Sequence, residues 1–203
     1  MKNDSESKRG LSAVVAAAGL SSRMGAFKPL LPFDGTTVIR RCVERLQQAG
    51  AAELVVVVGH RGGEIAEELE GTGASIVFNP DFRETQMFDS LCLGLRALRS
   101  PGGRVLLTPG DVPWVSAALI RSLAERNGDF VCPRCGDRPG HPVALAARHI
   151  PALLAYGGEG GLRGAVAHLG LSVEYVDTAE PGTAMDLDTP EDYQALLRLL
   201  QQQ

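Results

Sequence analysis

Short runs of consecutive apolar residues alternate along this chain with stretches whose apolar residues recur every three or four positions. The first pattern predicts strands buried on both faces, and the second predicts amphipathic helices. Residues 11–18 form the first run, and their valines favour extended structure. Thr36 or Thr37 can then cap a helix through Val38, Ile39, Cys42, Val43 and Leu46, with Gly50 past its end, before residues 53–58 read as a strand. A helix near 63–69 leads to a strand at 75–78, a loop over 79–85 and a helix holding Met87, Leu91, Leu95 and Leu98. Residues 104–108 read as a strand, followed by a helix at 117–125, a strand near 129–132, an apolar segment at 142–146, a helix near 162–169 and a strand at 172–176. Thr189 as cap and Pro190 in the first turn place the start of a terminal helix.

This alternation predicts a single-domain, three-layer α/β sandwich over residues 11–200, with a mostly parallel sheet between helices. Such sheets bind ligands in the crevice at the carboxyl ends of their strands. Three chemically distinctive stretches fall there: residues 19–28 after the first strand, residues 79–86 after the third and Asp111 after the fourth. The length of 203 residues suits one domain. Net charge is -4 and no basic stripe interleaved with aromatics exists, which argues against a nucleic-acid partner while leaving small anions open. Residues 1–10 are polar, read as a disordered tail rather than a signal peptide, and no apolar run approaches the ~20 residues of a membrane span. A soluble, cytoplasmic protein without a membrane partner is the expectation.

The loop after the first strand offers backbone N–H groups and hydroxyls from Gly19, Ser21 and Ser22, then the planar fork of Arg23 and the point charge of Lys28. That combination suits a triphosphate. It is not a Walker loop, because five residues separate Gly19 from Gly25 and the lysine comes three later, with Pro29 behind it. A second glycine two places after Gly19, which the dinucleotide fingerprint requires, is also missing. Gly110-Asp111-Val112-Pro113 projects a carboxylate from a strand end, suited to a hard cation or to a turn that bonds its own backbone. Alternation sends Asp186 and Asp188 to one side of an extended segment, although Asp188 and Thr189 can equally cap the last helix. Facing carboxylates repel, so a divalent cation is their natural neutraliser. Cys132-Pro-Arg-Cys135 has zinc or redox spacing, but structural zinc needs about four ligands and Cys42 and Cys92 lie far off in helical patterns. The reading is an ordinary loop or turn with free thiols, with a redox pair as the alternative.

Residues 14–32 resemble the signature of the MobA-like nucleotidyltransferases, Ala-Ala/Gly-Gly-x-Ser-x-Arg-Met-Gly-x-x-Lys-x-Leu-Leu-Pro, at nearly every fixed position. Gly110-Asp111-Val112-Pro113 and the stretch from Asp186 to Asp192 match two further elements of that family. Gly140-His141-Pro142 and residues 158–163 are similar to its molybdenum-cofactor cytidylyltransferases, with Glu159 and Leu162 departing from their Asp and Ala. Residues 79–91 resemble their Asn-Pro…Gly-Met-x-x-Ser-Leu, with Gln86 in place of glycine. The resemblance implies a Rossmann-like nucleotide-diphospho-sugar transferase fold and transfer of CMP from CTP to the terminal phosphate of a molybdopterin-type acceptor, releasing pyrophosphate. It implies nucleotide contacts from Ala17, Ala18, Gly19, Ser21, Ser22, Arg23, Gly25, Lys28, Gln86 and Ser90. Catalysis falls to Arg23, Lys28 and Asp111, with Mg²⁺ on Asp111 and Asp186, Asp188 second. His141 and Arg163 fall on the acceptor side, and a molybdoenzyme or its maturation chaperone is the implied recipient.

Read by themselves, His141 is a turn or buried histidine and Ser90 a hydroxyl bonded within its own helix. Ala17-Ala18-Gly19 follows the cytidylyltransferases rather than the Ala-Gly-Gly of the guanylyltransferases, and the Ala18 methyl narrows the space over the strand end. Alternatives left open are GTP as donor, a sugar, polyol or alkyl phosphate as acceptor, a nucleotide-binding regulator without turnover, and a thiol redox module.

Overall fold

A computed structural model describes residues 10–20, 24–185 and 187–201. The elements are β1 (Leu11–Ala17), β2 (Pro32–Phe33), β3 (Thr36–Thr37), α1 (Val38–Gln48), β4 (Ala51–Val58), α2 (Gly62–Glu68), β5 (Ser75–Phe78) and α3 (Met87–Ala97). They continue with β6 (Arg104–Pro109), α4 (Ala117–Ala124), β7 (Phe130–Cys135), β8 (Arg138–Pro139), β9 (Val143–Ala146), α5 (Ile150–Leu154), α6 (Gly161–His168), β10 (Val173–Asp177) and α7 (Pro190–Leu200). One sheet runs in the order β10-β7-β9-β6-β1-β4-β5, with β8 paired to β7. Strands β6, β1, β4 and β5 are parallel, as are β10 and β7. Strand β9 runs antiparallel between β6 and β7, so the residues just before it arrive at the end of the sheet where β6 stops. The anticipated α/β sandwich is therefore the fold.

Successive side chains of a strand point to opposite faces. Val15, Val56 and Leu106 pack with Ile39, Val43 and Leu46 of α1 and with Ile120 and Leu123 of α4. Their neighbours Val14, Val57 and Leu107 meet Leu91 and Leu95 of α3, Leu153 of α5 and Val166 of α6. Val14 and Val15 are both fully buried, as a strand covered on two sides requires. Each such side chain contributes about 1.5–3 kcal/mol on burial. A smaller cluster of Phe33, Val38, Leu187 and Leu196 fastens α7 beside the β2–β3 hairpin.

Local capping sets the helix starts that the site depends on. Thr37 Oγ1 accepts from the Arg40 amide at 3.3 Å and begins α1. Thr189 and Asp192 exchange bonds in a capping box and begin α7, as its sequence predicts. Asp34 and Gly35 both take positive φ between β2 and β3, the backbone a two-residue hairpin needs.

One expectation is corrected. Cys132 and Cys135 lie in strand β7 and not in a loop. Pairing with β10 on one side and with β8 and β9 on the other holds this segment extended, and Val176 registers against Pro133 despite the missing N–H. Three strand steps separate the two cysteines by about 10 Å, beyond the Cα distance a disulfide spans. All four cysteines are free thiols, so the redox alternative has no pair to work with.

Candidate functional site

The crevice forms where β1, β4 and β6 end. After β6 the chain passes directly over the end of β1, and the Gly110 amide donates to Ala16 O at 2.9 Å. A Cβ at this position would come within 2.9 Å of both Ala17 Cβ and Ile39 Cδ1, so glycine permits the approach that sets Asp111 beside β1. Lys28 opens a single 3₁₀ turn, Lys28–Leu30, stiffened by Pro29. Phe27 before it packs edge-on against His60 and lies under the Arg61 guanidinium. Asp188 arrives from the far end of the chain, one residue ahead of the α7 cap.

These three side chains meet. Lys28 Nζ lies 2.7 Å from Asp188 Oδ1 and 3.6 Å from Asp111 Oδ2. The lysine side chain is 11 % exposed and the two aspartates 28 % and 34 %, so the cation is sheltered while both carboxylates keep water access. Asp188 is not the cap of α7. The Thr189 hydroxyl and the amides of Thr189 and Asp188 donate to Asp192 Oδ2, which holds the Asp192 carboxyl below its usual range and leaves the Asp188 carboxylate directed at Lys28. Beneath them, burial pushes the Cys42 thiol up to about 12 and Asp111 adds to the rise. Cys42 is thus a neutral packing group and no nucleophile.

Two hollows open from this end of the sheet. One of about 110 Å³ is lined by Ala17, Lys28, Gly110 and Asp111. The other, of about 180 Å³, is lined by Ala18, Phe82, Thr85, Gln86 and Ser90. Ala16 and Gly19 belong to both, so the end of β1 is the wall between a charged compartment and a neutral one. Phe82 reaches the second hollow because residue 59 is glycine: a Cβ there would meet Phe82 Cβ at 2.5 Å and Ala18 O at 2.7 Å. Met24 is buried, while Gly25 stands in an exposed turn ahead of Lys28.

The predicted residues thus fall into three groups. Ala17, Gly19, Lys28 and Asp111 share the first hollow, with Asp188 paired to its lysine, and Ala18, Gln86 and Ser90 share the second. Ser90 does not bond within its helix; its Oγ accepts from Asn79 Nδ2 at 3.3 Å. His141 and Arg163 line neither hollow. The His141 amide donates to Thr183 O at 2.8 Å, and Arg163 sits exposed on α6; burial pushes the Cys132 thiol up, and a hydrogen bond with the Gly140 backbone and then the Arg163 charge offset part of that rise. Ser21, Ser22, Arg23 and Asp186 lie outside the described residues. Asn79, Phe82 and Thr85 escape a search for charged or glycine-rich motifs, although Asn-Pro at the end of a predicted strand is a signal for a turn built there.

A family model for the MobA-like NTP transferase domain matches residues 13–173. The chain belongs to this family. It is a nucleotidyltransferase of the MobA-like type, and the molybdenum cofactor cytidylyltransferase of Escherichia coli strain K12 is 26 % identical over 188 residues, 90 % of this chain and 93 % of that protein. A nucleotidyl transferase from Methanothermobacter thermautotrophicus superposes with a TM-score of 0.84 at 31 % identity, covering 96 % of this chain and 99 % of the other. Rv0371c from Mycobacterium tuberculosis H37Rv, solved in complex with manganese, gives a TM-score of 0.76 at 25 % identity over 93 % of this chain and 98 % of its own. Among the described residues of the present MobA-like protein, no helix is long and apolar enough to cross a membrane.

Proposed function

We propose that the protein transfers CMP from CTP to the terminal phosphate of a molybdopterin-type acceptor. One observation carries the reading: a sheltered lysine from the first loop is held by carboxylates from two distant segments at the sheet end, beside a neutral hollow of base size. The triphosphate lies in the charged compartment and the base in the neutral one. An acceptor phosphate oxygen attacks the α-phosphorus, the new P–O bond forms in line with the bond to the β-phosphate oxygen, and pyrophosphate leaves with that electron pair. No side-chain nucleophile takes part.

Lys28 places its charge where the leaving pyrophosphate accumulates negative charge, and Arg23, five residues earlier in sequence, is assigned the same electrostatic role. Asp111 and Asp188 supply hard oxygen donors that keep water access, a set that fits Mg²⁺ and leaves room for its retained waters. Asp186 would join them. The bound ion supplies Lewis-acid charge at the α-phosphate. The manganese-containing relative agrees with a divalent cation in this family. Ala18, in the wall of the neutral compartment, supports the choice of a pyrimidine, and the cytidylyltransferase relative supports both donor and acceptor. His141 and Arg163 are assigned to the acceptor.

The test is pyrophosphate release from each of CTP, GTP, ATP and UTP with Mg²⁺, offered molybdopterin, a sugar phosphate or a polyol phosphate. CTP with molybdopterin is the expected productive pair. Release with a different pair would reassign the substrates, and tight CTP binding without release from any acceptor would make the protein a nucleotide-responsive regulator.

A further inference from the structure

Beside the second hollow lies a buried polar network that the chemistry above does not use. Asn79 follows β5 and is 1 % exposed. Its amide N–H donates to Val58 O at 2.8 Å and extends the β4–β5 ladder. Its Oδ1 accepts from the Asp81 amide at 3.0 Å. A backbone N–H can only donate, so this bond fixes which end of the Asn79 side chain is oxygen. The Nδ2 group then donates both to Thr85 Oγ1 at 2.9 Å and to Ser90 Oγ at 3.3 Å. Thr85 passes its own proton to Asp81 O at 3.0 Å.

The consequence falls on Ser90. An Nδ2–H occupies one lone pair of its hydroxyl, and among the described residues no acceptor takes the hydroxyl proton. Ser90 is 3 % exposed, and it belongs to the lining of the second hollow. A hydroxyl is ordinarily donor and acceptor by rotation. Here one neighbour has taken up acceptor capacity.

We propose that Asn79 is a positioning residue that fixes Ser90 as a hydrogen-bond donor into the second hollow, so that this hollow selects a base by an acceptor edge such as the carbonyl oxygen and ring nitrogen of cytosine. The inference rests on the reading that the second hollow holds the base. Asn79 touches no substrate; it acts through the polarity of Ser90. The carboxylate of Asp at the same position, close in shape, would have no N–H and would draw the Ser90 proton toward itself.

Calorimetric titration with CTP, and separately with ribose 5-triphosphate, which has no base, tests this on the full-length protein. Asn79→Asp is expected to weaken CTP about 10-fold, the worth of one buried hydrogen bond, and to leave ribose 5-triphosphate unchanged. Ser90→Ala should do the same, and the double variant should bind CTP no more weakly than Ser90→Ala, because both changes remove one contact. CTP binding by Asn79→Asp within twofold of wild type, losses that add in the double variant, or equal weakening of ribose 5-triphosphate would overturn the proposal, since a merely structural Asn79 produces those outcomes. If Asn79→Asp does not fold, Ser90→Ala alone decides: unchanged CTP affinity refutes a donor at this position. A wild-type protein that binds CTP and ribose 5-triphosphate equally defeats the base reading itself, a result distinct from loss of the Asn79 effect.

Discussion

The two ends of the sheet both carry clusters of charge, but they hold them in different ways. At the end opposite the crevice, a cavity of about 600 Å³ is lined by Arg104, Arg121, Arg126 and Arg148. It is the larger space and the more basic one. Three of these arginines, however, are spent on the chain: Arg104 donates to Gly128 O at 2.6 Å and to Arg126 O, Arg126 pairs with Glu174, and Arg148 pairs with Asp129. Helices α1 and α4 also finish here, turning the negative ends of their dipoles toward any incoming anion. At the crevice end one lysine stands between two carboxylates that keep water access. The ends therefore differ less in cation count than in what holds the cations: backbone carbonyls and carboxylates of bracing loops at one, and at the other two carboxylates that keep water access around a single lysine.

Substitutions at the two ends should separate activity from stability. The largest effect belongs to the crevice. Lys28→Ala and Asp111→Asn each remove one electrostatic contact from the reacting phosphates, and pyrophosphate release should fall about 10²–10³-fold. The ion pairs they break are partly exposed and worth about 0–1 kcal/mol, so thermal midpoints should move by only a few degrees, to about 5 °C at most. Steady-state turnover and a melting curve on the same preparation give both numbers. Near-wild-type turnover in either variant would erase the functional distinction between the ends.

Asp129→Asn should show the reverse. His149, then Ser172 and Arg148, hold the Asp129 carboxyl well below the usual carboxylate range by hydrogen bonds that favour its charged form. A depressed folded-state value contributes stability that is present above the unfolded value, about 3.9, and is lost as pH falls through the folded one. Wild-type stability should therefore decline below about pH 4, and Asn at this position should make that decline shallower without abolishing it, because Asp177 and Asp192 are depressed as well. The variant should also be less stable than wild type at pH 7, with turnover within about twofold. Denaturant midpoints between pH 2.5 and 7 check the slope. Identical slopes would show that this cluster is not the source of the acid sensitivity.

The crevice end was the more legible one in sequence, for a physical reason. A phosphate loop, a Gly-Asp-x-Pro turn and a Thr-Pro cap are local devices, each specified by a few adjacent residues, and Lys28, Asp111 and Thr189 stand where those devices put them. That Asp188 faces Lys28 instead of capping α7 depends on Thr189 and Asp192 forming the capping box between them, a choice between neighbours that alternation does not make. The continuation of β7 past Cys132 was hidden by Pro133, because β10, one of the strands that hold it extended, comes from a segment distant in sequence. The Asp34-Gly35 hairpin carried a readable turn signal, but its strands are two residues each, too short for periodicity to register. Asn79 was visible as part of an Asn-Pro turn, but the role of its side chain was not. A neutral amide does its work through three bonds to the chain, and nothing in composition or charge distinguishes it from an ordinary turn residue.

The smallest expected effect sharpens the contrast from within the crevice. Ala18 is 6 % exposed and lines the neutral hollow opposite Phe82, whose Cβ is already pressed against Gly59. Removing one methyl enlarges a compartment that cannot expand on the Phe82 side, so Ala18→Gly should shift the CTP-to-GTP ratio of kcat/KM toward GTP by about 10-fold, the low end of what one methylene supplies in a packed pocket. The charged compartment across β1 is untouched, and kcat with CTP should stay within about threefold. A ratio that does not move would mean that the wall formed by Ala18 sets no limit on the base. The discrimination would then reside in the hydrogen-bonding side of the hollow, where Ser90 and Gln86 stand.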